Sequence, residues 1–226
     1  MRPGASGAAL HAALTARFGA VASPVRVGDA EVEILRPPRA EDLISDEDFA
    51  RDERLPYWAE LWPSAVVLAG EVAAERGRGR ALLELGCGLG LVTLAALRAG
   101  YRVTATDYYD DALAFTRANA WRSLGREPVT RAVDWRALPR DLGRHDRVVA
   151  ADVLYERTYA ALVARAVGRT LAAGGVATVA DPGRVAMPAF VEECRTRGLV
   201  VRRADRRPYD DGRVKQKITL LTLGRE

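Results

Sequence analysis

The chain has 226 residues, of which 49% are hydrophobic and 28% are charged, and its formal net charge is +4. This composition favours one sizeable folded domain and excludes an intrinsically disordered chain. No apolar run reaches the roughly 18 residues that a membrane-spanning helix needs. Only two cysteines occur, so a disulfide framework is not expected. We therefore predict a cytoplasmic protein outside the membrane, with a monomer as the default state.

The N-terminal part of the chain is predicted to form an amphipathic helix followed by a strand. Leu10, Leu14 and Phe18 recur at intervals of four residues, which places them on one helix face. We prefer this helix to a cleaved targeting peptide, although the first 20 residues lack acids. A strand is predicted from Val25 to Leu35, and a charged loop or short helix over residues 41–54.

The main domain is predicted to span residues 56–226, with residues 1–55 as an N-terminal extension. Strands and helices alternate after a helix that begins at Pro63. Strands are predicted over 80–85, 102–106, 129–133, 146–151, 175–180, 199–205 and 214–223, with helices over 89–99, 110–122, 155–172 and 185–197. The last two strands lack room for a crossover helix between them, so they should pair antiparallel. This pattern predicts a Rossmann-like, doubly wound α/β fold of seven strands, mostly parallel, with helices on both faces.

The most informative segment is the run ALLELGCGLG at residues 81–90, where a buried strand enters a helix through glycines. The next strand stops at Asp107, twenty-one residues after Gly86. Glycines let the backbone approach a ligand closely, and a carboxylate at the next strand end can accept both hydroxyls of a ribose. The segment therefore predicts a nucleoside site.

Two details separate this site from a dinucleotide site. Gly86, Gly88 and Gly90 are spaced G-x-G-x-G rather than G-x-G-x-x-G. Glu84 precedes the first glycine by two residues, where its charge would oppose a pyrophosphate at the helix N-terminus. S-adenosylmethionine suits that field, because it carries a nucleoside, a sulfonium and an ammonium but no phosphate. We predict S-adenosylmethionine as the cofactor.

Further carboxylates follow the predicted strands. Asp107, Asp134, Asp152 and Asp181 each stand at a strand end, and ligands of such sheets bind beyond the carboxyl ends of the strands. One or two of these residues could instead cap the following helix. Asp152 ends the most apolar strand, where an unpartnered carboxylate would be costly. We expect a functional role for it.

In these motifs the chain resembles the seven-strand, S-adenosylmethionine-dependent methyltransferases of the protein-lysine type. The resemblance covers roughly residues 55–183 and rests on the segment PYWAELWP at 56–63, the glycine turn, Asp107, Asp134-Trp135 and the DVLY segment at 152–155. Within that family, residues 181–184 and the PYWA segment look most like the branch that methylates the beta subunit of electron-transfer flavoprotein.

The resemblance implies a role for each matching residue. The cofactor site would comprise Trp62, Glu84, Gly86, Cys87, Gly88, Gly90, Asp107, Tyr108, Asp134, Trp135 and Ala151. Asp107 would hold the ribose, and Asp134 would accept from the adenine amino group while Trp135 packs on the ring. Asp152 and Tyr155 match the D-x-x-Y signature at the mouth where the target lysine enters. Asp152 would orient the amine, and Tyr155 would offer its ring face.

Some of these aromatic residues also have a plain structural interpretation. Trp58 and Trp62 are four residues apart and could both be core anchors of one helix face, and for Trp58 we expect that. Tyr108 and Tyr109 are adjacent and cannot both face an adenine. His11 and His145 are too scattered to form a metal site, so we expect no metal.

The predicted function is N-methylation of lysine on a protein substrate, with the beta subunit of electron-transfer flavoprotein as a candidate. An RNA methyltransferase is a rival hypothesis, but residues 152–155 lack the N-P-P-Y-like turn and nucleic acid is not an expected partner. A small-molecule methyltransferase and a non-catalytic cofactor-binding module are two further hypotheses. The arginines near the C-terminus are interpreted as a solvated strand edge rather than a face for acidic partners.

Overall fold

The computed structural model describes residues 7–43 and 56–226, and it confirms the predicted fold class. The helices are α1 (Gly7–Phe18), α2 (Pro63–Ala73), α3 (Leu91–Arg98), α4 (Asp110–Leu124), α5 (Tyr159–Thr170) and α6 (Met187–Arg195). The strands are β1 (Val21–Val27), β2 (Ala30–Arg36), β3 (Ala81–Leu85), β4 (Arg102–Asp107), β5 (Val129–Ala132), β6 (His145–Ala151), β7 (Leu171–Asp181), β8 (Leu199–Asp210) and β9 (Lys215–Arg225). No helix in the described ranges is long and apolar enough to cross a bilayer.

The main sheet has seven strands in the order β5-β4-β3-β6-β7-β9-β8. The first five strands are parallel, whereas β9 runs antiparallel to both β7 and β8. The predicted antiparallel pairing of the last two strands is therefore confirmed. Strand order changes direction between β3 and β6, which is where ligands bind in sheets of this kind.

The central strand β3 is buried on both faces. Leu82 packs into the hydrophobic cluster on one side of the sheet, and Leu83 and Leu85 pack into the cluster on the other side. Strands covered by helices on both sides carry continuous apolar runs, as residues 81–85 do. This packing holds the carboxyl end of β3 beside those of β4 and β6.

The N-terminal helix prediction is confirmed, because Leu10 and Leu14 are buried and α1 packs against α4. The prediction of one strand from Val25 to Leu35 is wrong. Strands β1 and β2 form an antiparallel hairpin that closes through a two-residue turn after Val27. Gly28 has a φ of 59°, a left-handed conformation that tight hairpins require and glycine adopts freely.

The charged segment lies largely outside the described residues. Its start, Glu41–Leu43, is a short 3-10 helix, while residues 44–54 belong to the undescribed range. The predicted boundary after residue 55 stays a prediction for the same reason.

A buried amide joins the N-terminal hairpin to the main domain. The Asn119 side chain on α4 accepts a hydrogen bond from the Leu35 N–H at 2.7 Å and donates to the Leu35 carbonyl at 3.0 Å. It also donates to the carbonyl of Leu89, in the glycine turn, at 2.9 Å. Asn119 thereby satisfies backbone groups that the hairpin and the turn would otherwise bury without partners.

We predict that Asn119→Ala lowers the free energy of unfolding by about 2–4 kcal/mol, because it leaves several buried backbone groups unsatisfied. Urea unfolding followed by circular dichroism measures the change. Arg122→Ala is the matched control on the same helix, since it removes the partly exposed ion pair to Glu33. That loss should stay below about 1 kcal/mol, and equal losses in the two variants would contradict the role of Asn119.

Candidate active site

A cavity of about 380 Å³ lies at the carboxyl ends of the parallel strands. It is lined by all but one of the site residues predicted from the sequence, namely Trp62, Glu84, Gly86, Cys87, Gly88, Asp107, Tyr108, Asp134, Trp135, Ala151, Asp152 and Tyr155. Residues that are far apart in the chain thus meet at one edge of the sheet, as the topology requires.

The glycine turn folds back onto the end of β4. The N–H groups of Gly86 and Cys87 both donate to the Thr106 carbonyl at 2.9 Å. Gly88 has a φ of 51°, and a Cβ there would lie 3.0 Å from the Trp58 carbonyl oxygen. Only a residue without a side chain fits this turn without strain, so glycine lets the turn pack against the Trp58 backbone while it lines the cavity.

Gly90 is the predicted site residue that does not line the cavity. It is the residue before α3, its φ is 83°, and a Cβ there would lie 2.8 Å from the Thr116 Cα. Its role is to let α3 approach α4, rather than to touch a ligand. Thr116 also donates to the Cys87 sulfur at 3.3 Å, and burial raises the pKa of that thiol well above its ordinary value.

Asp107 is buried beside the glycine turn. Its Oδ2 accepts from the Gly88 N–H at 2.9 Å, and its Oδ1 accepts from the Tyr109 N–H at 3.1 Å. Burial raises the pKa of Asp107, and these backbone N–H groups partly offset the increase. The carboxyl group keeps further acceptor sites for a ligand, because each oxygen has two lone pairs.

Glu84 is only 2% exposed, and its Oε2 accepts from the Thr93 hydroxyl at 2.5 Å. Burial raises its pKa to about 8, and the negative charge of Asp107 acts in the same direction. From the sequence, Glu84 is expected to carry a fixed negative charge. A pKa of about 8 instead favours the protonated form near neutral pH, and a cation in the cavity would favour release of the proton.

Asp134 caps the 3-10 turn Trp135–Ala137. Its Oδ1 accepts from the Arg136 N–H at 2.8 Å, and its Oδ2 pairs with the Arg136 guanidinium at 2.9 Å. The capping role considered for the strand-end carboxylates therefore holds for this residue. Its contact with an adenine stays a prediction.

The two aromatic residues near Asp134 occupy different parts of the cavity. The Trp135 ring lies against Gly86, where a Cβ would be 3.5 Å from the Trp135 Cζ2. Tyr108 is 45% exposed, and the Arg136 guanidinium lies 5.9 Å from its ring centre. Trp135 thus forms a fixed wall, while Tyr108 stands at the open rim.

Trp58 and Trp62 have different roles. Trp58 packs on Phe115 with ring centres 5.6 Å apart and contacts the hydrophobic cluster, as expected of a core residue, but it is only partly buried and also lines the cavity. The expected shared helix face is wrong, because Trp58 lies in the 3-10 turn Tyr57–Ala59 and Trp62 precedes α2. Trp62 lines the cavity, and its indole N–H donates to the Tyr57 carbonyl at 2.8 Å. This bond fixes the orientation of the Trp62 ring.

Asp152 follows the last residue of β6 and is buried, with a left-handed φ of 57°. Its Oδ1 accepts from the Arg184 Nε at 2.8 Å, and its Oδ2 accepts from the Ser64 hydroxyl at 3.2 Å. Neither partner is predicted from the sequence. Ser64 comes from the first turn of α2 and Arg184 from the loop after β7, so only the tertiary fold brings them together.

The loop after β7 is itself held by a buried carboxylate. The Asp181 Oδ1 accepts from the N–H groups of Gly183 and Arg184, both at 2.7 Å. The Arg184 guanidinium lies 5.5 Å from the centre of the Trp62 ring, which is within range of a cation–π contact. The sequence offered one signal for this arrangement, the motif at residues 181–184, but not its ionic role.

A row of aromatic rings runs along the mouth of the cavity. Ring centres are 5.2 Å apart for Tyr57 and Tyr155, 4.8 Å for Tyr155 and Tyr159, and 5.6 Å for Tyr159 and Trp135. Burial, together with a hydrogen bond to Tyr159, raises the pKa of the Tyr155 phenol. Tyr155 therefore stays neutral. Tyr57 and Tyr159 were not predicted as site residues, although Tyr159 lies four positions after Tyr155.

The donor set of this site is not that of a metal centre. Within residues 7–43 and 56–226, no group of three or more histidine, cysteine, aspartate or glutamate side chains is arranged to hold a metal ion. Both cysteines, Cys87 and Cys194, are free thiols in buried positions.

Solved structures share this architecture. The magnesium protoporphyrin IX methyltransferase of Synechocystis PCC 6803 aligns with a TM-score of 0.60 and 16% identity over 82% of this chain and 95% of that chain. TrmN from Thermus thermophilus aligns with a TM-score of 0.57 and 20% identity over 78% of this chain and 51% of that chain. At these identities the likeness shows the fold alone.

Sequence comparison is more specific. The family model described as lysine methyltransferase matches residues 50–181, more than half of the chain, so the chain belongs to the lysine methyltransferase family. This confirms the resemblance drawn from the motifs.

The chain is 35% identical to protein N-lysine methyltransferase METTL21A of Danio rerio over 49% of this chain and 55% of the relative. For METTL21A of Xenopus tropicalis, identity is 30% over 47% of this chain and 53% of the relative. The chain thus spans about half the length of these curated relatives.

The raised pKa of Glu84 predicts a pH-dependent stability. Because the folded-state pKa is about 8 and the ordinary value is 4.5, the native state binds the Glu84 proton more tightly than the unfolded chain. The resulting stabilisation is complete below about pH 4.5 and is lost as the pH rises through about 8. In the absence of ligand, the wild type should therefore lose stability with rising pH, whereas Glu84→Gln lacks this titration. Between about pH 5 and 8, the unfolding free energy of the wild type should fall by a few kcal/mol relative to that of Glu84→Gln.

Urea unfolding at several pH values measures this difference. Glu192→Gln is the control, because Glu192 is exposed and pairs with Arg195 on the surface. Curves for the wild type and Glu84→Gln that stay parallel across this pH range would show that Glu84 is ionised in the native state.

Proposed function

We propose that the protein is an S-adenosylmethionine-dependent protein-lysine N-methyltransferase. The observation that carries the proposal is Asp152, a buried carboxylate with an ion-pair partner at the mouth of a cavity lined by the glycine turn. Membership of the lysine methyltransferase family supports the same reaction.

The cavity fits the proposed cofactor in its donor set. The glycine turn lines the cavity, and two buried acidic side chains, Glu84 and Asp107, lie beside it. Carboxyl oxygens of this kind would hold the ribose hydroxyls and the ammonium group of S-adenosylmethionine. Trp135 and Trp62 add apolar walls to the cavity. When bound, S-adenosylmethionine supplies an electrophilic methyl group.

The protein's contribution is to align a lysine amine with that methyl group and to exclude water. Holding two reacting groups in the correct orientation can lower a barrier by several kcal/mol. The aromatic row of Tyr57, Tyr155, Tyr159 and Trp135 forms a narrow apolar wall, which fits the four-carbon stem of a lysine. Its ring faces also attract the cationic product.

Asp152 is suited to orient the amine. An ionised carboxylate has about four lone-pair sites, and Arg184 and Ser64 occupy two of them. The remaining sites accept a hydrogen bond from the incoming nitrogen and point its lone pair toward the methyl group. Burial of Asp152 keeps this hydrogen bond away from competing water.

Arg184 limits the effect that the charge of Asp152 would have on the pKa of the substrate amine. A lysine amine has a reference pKa of about 10.4, and an isolated carboxylate beside it would raise that value further. The amine must be unprotonated to attack. The Arg184 guanidinium, 2.8 Å from the carboxylate, offsets its charge and leaves acceptor sites free for the amine. Tyr155 is neutral, so we assign no side chain here as a dedicated base.

The substrate protein is a finer question. Residues 56–59 and 181–184 resemble the branch that methylates the beta subunit of electron-transfer flavoprotein, and we propose that subunit as the first candidate. The relatives from Danio rerio and Xenopus tropicalis carry METTL21A names instead. The purified flavoprotein therefore belongs in the test as one substrate beside a whole lysate.

The proposed activity is tested by incubating the purified protein with radiolabelled S-adenosylmethionine and a lysate of the source organism. We expect label in protein that survives nuclease, is released by protease and is located on lysine by mass spectrometry. Asp152→Asn should lower incorporation roughly 10- to 100-fold, because it removes a charge-assisted hydrogen bond. Asparagine tolerates the left-handed φ at this position, so the variant keeps the fold.

Calorimetry with S-adenosylhomocysteine is the control for cofactor binding, which Asp152→Asn should leave intact. Label that disappears with nuclease would point to an RNA substrate, and label confined to low-mass products would point to a small-molecule substrate. Binding of S-adenosylhomocysteine with no labelled product in any fraction would leave the non-catalytic module as the correct interpretation.

We predict that Arg184→Gln shifts the pH dependence of methyl transfer. Without the guanidinium, the Asp152 charge stabilises the lysine ammonium, so the apparent pKa on the ascending limb of kcat/KM should rise by about one unit. The pH profile of initial rates measures this shift. Arg184→Lys should restore part of it because the cation returns. A uniform loss at every pH in Arg184→Gln would instead indicate a structural role alone.

A further inference from the structure

The hairpin of β8 and β9 extends past the end of the sheet on the side of the cavity. Asp181, the last residue of β7, pairs with Thr219, which pairs with Arg206. Beyond this level the hairpin continues through the pair Asp210 and Lys215 without β7 beside it. The residue pairs beyond Arg206, at roughly 3.3 Å each, make a projection of about 13 Å. We call residues 206–219 the projecting hairpin.

One face of the projecting hairpin is closed by the domain. Ile218 is fully buried, Tyr209 packs against the same hydrophobic cluster, and Arg207 pairs with Glu71 of α2 at 2.8 Å. Since side chains alternate along a strand, the residues between these point to the opposite face. That opposite face is exposed.

The exposed face is basic. Arg206, Lys217 and Lys215 lie on it, and the two lysines are the only lysines in the chain. Lys215 pairs with Asp210 at 3.2 Å. In the part of the chain that the structure describes, no ion pair satisfies the charge of Arg206 or Lys217, whereas the neighbouring Arg207 is paired.

The position of this face relative to Asp152 is set by the sheet. The Asp152 N–H bonds to the Ala180 carbonyl, so Asp152 lies at the level where β7 ends. Arg206 is at the same level, three strands away in the order β6-β7-β9-β8. At about 4.8 Å per strand, the two backbones are about 14 Å apart. An extended peptide covers that distance in about four residues.

The sequence alone favours a solvated strand edge here, but on the structure we propose that the exposed face of the projecting hairpin binds an acidic stretch of the protein substrate, about four residues from the target lysine. The inference rests on the proposed function and adds the substrate class. Arg206 and Lys217 have no ion-pair partner among the described residues, and their fixed distance from the cavity matches carboxylates at a fixed distance from a lysine. The face carries Arg206, Lys215 and Lys217 but no aromatic ring, because Tyr209 packs toward the core, so stacking of nucleic-acid bases is not available there.

The test compares two pairs of charge reversals. The hairpin variant is Arg206→Glu with Lys217→Glu. The control variant is Arg98→Glu with Arg140→Glu, which changes the net charge equally at exposed residues that do not line the cavity. Initial rates of methyl incorporation are measured with limiting, nuclease-treated lysate at low and physiological ionic strength, and thermal unfolding checks that both variants fold.

At low ionic strength the hairpin variant should be slower than the wild type by on the order of tenfold, and the difference should shrink as salt is added. The control should stay within about twofold. Mass spectrometry should find acidic residues within about five positions of the lysines that the wild type labels.

Equal rates for the hairpin variant and the wild type overturn the proposal, as do labelled lysines without acidic neighbours. A wild-type protein that labels no lysine overturns the proposed function itself, and the docking proposal with it. Calorimetry with S-adenosylhomocysteine separates these outcomes, because the hairpin variant should bind it as the wild type does.

Discussion

The constraint that organises this structure is the burial of acidic side chains at the carboxyl edge of a parallel sheet. A buried carboxylate is costly unless something compensates for its lost hydration. The four buried carboxyl groups here are compensated in three ways. The raised pKa of Glu84 favours its protonated form, and Asp152 pairs with the cation of Arg184. Asp107 and Asp181 both accept backbone N–H groups, and those bound by Asp181 belong to the loop that carries Arg184. The carboxyl groups therefore have different electrostatic surroundings within one region of the fold.

The chemistry follows from those differences. Asp152 is paired with Arg184, so it can accept a hydrogen bond without strongly favouring a protonated amine nearby. Because the pKa of Glu84 is raised to about 8, entry of a cation would favour release of its proton, which would couple ligand binding to pH. The paired carboxylate faces the proposed nucleophile, while Glu84 lies beside the glycine turn that lines the proposed cofactor site.

The repetitive parts of this architecture could be predicted well from the sequence. Two of these patterns are local: acidic residues at strand ends, and glycines at a strand-to-helix turn. The site residues predicted from them line the cavity, with Gly90 as the exception. Arg184 and Ser64 could not be found in the same way, because their partner Asp152 is distant in sequence from both of them. Asp134 shows a second limit of sequence-based prediction. An acidic residue at a strand end can cap the next turn or contact a ligand, and the sequence pattern is the same in both cases.

The distribution of charge outside the cavity complements the one inside. The interior is rich in acidic groups, which favours a cationic donor and the cationic form of a methylated product. The projecting hairpin presents Arg206 and Lys217 at the same edge, some three strands away. A substrate with acidic residues near its lysine would be attracted at both places, the lysine by the acidic cavity and the acidic residues by the basic hairpin. A uniformly basic segment would be repelled at the hairpin. Specificity would then come from the spacing between lysine and acid, a distance that the sheet itself sets through the separation of its strands.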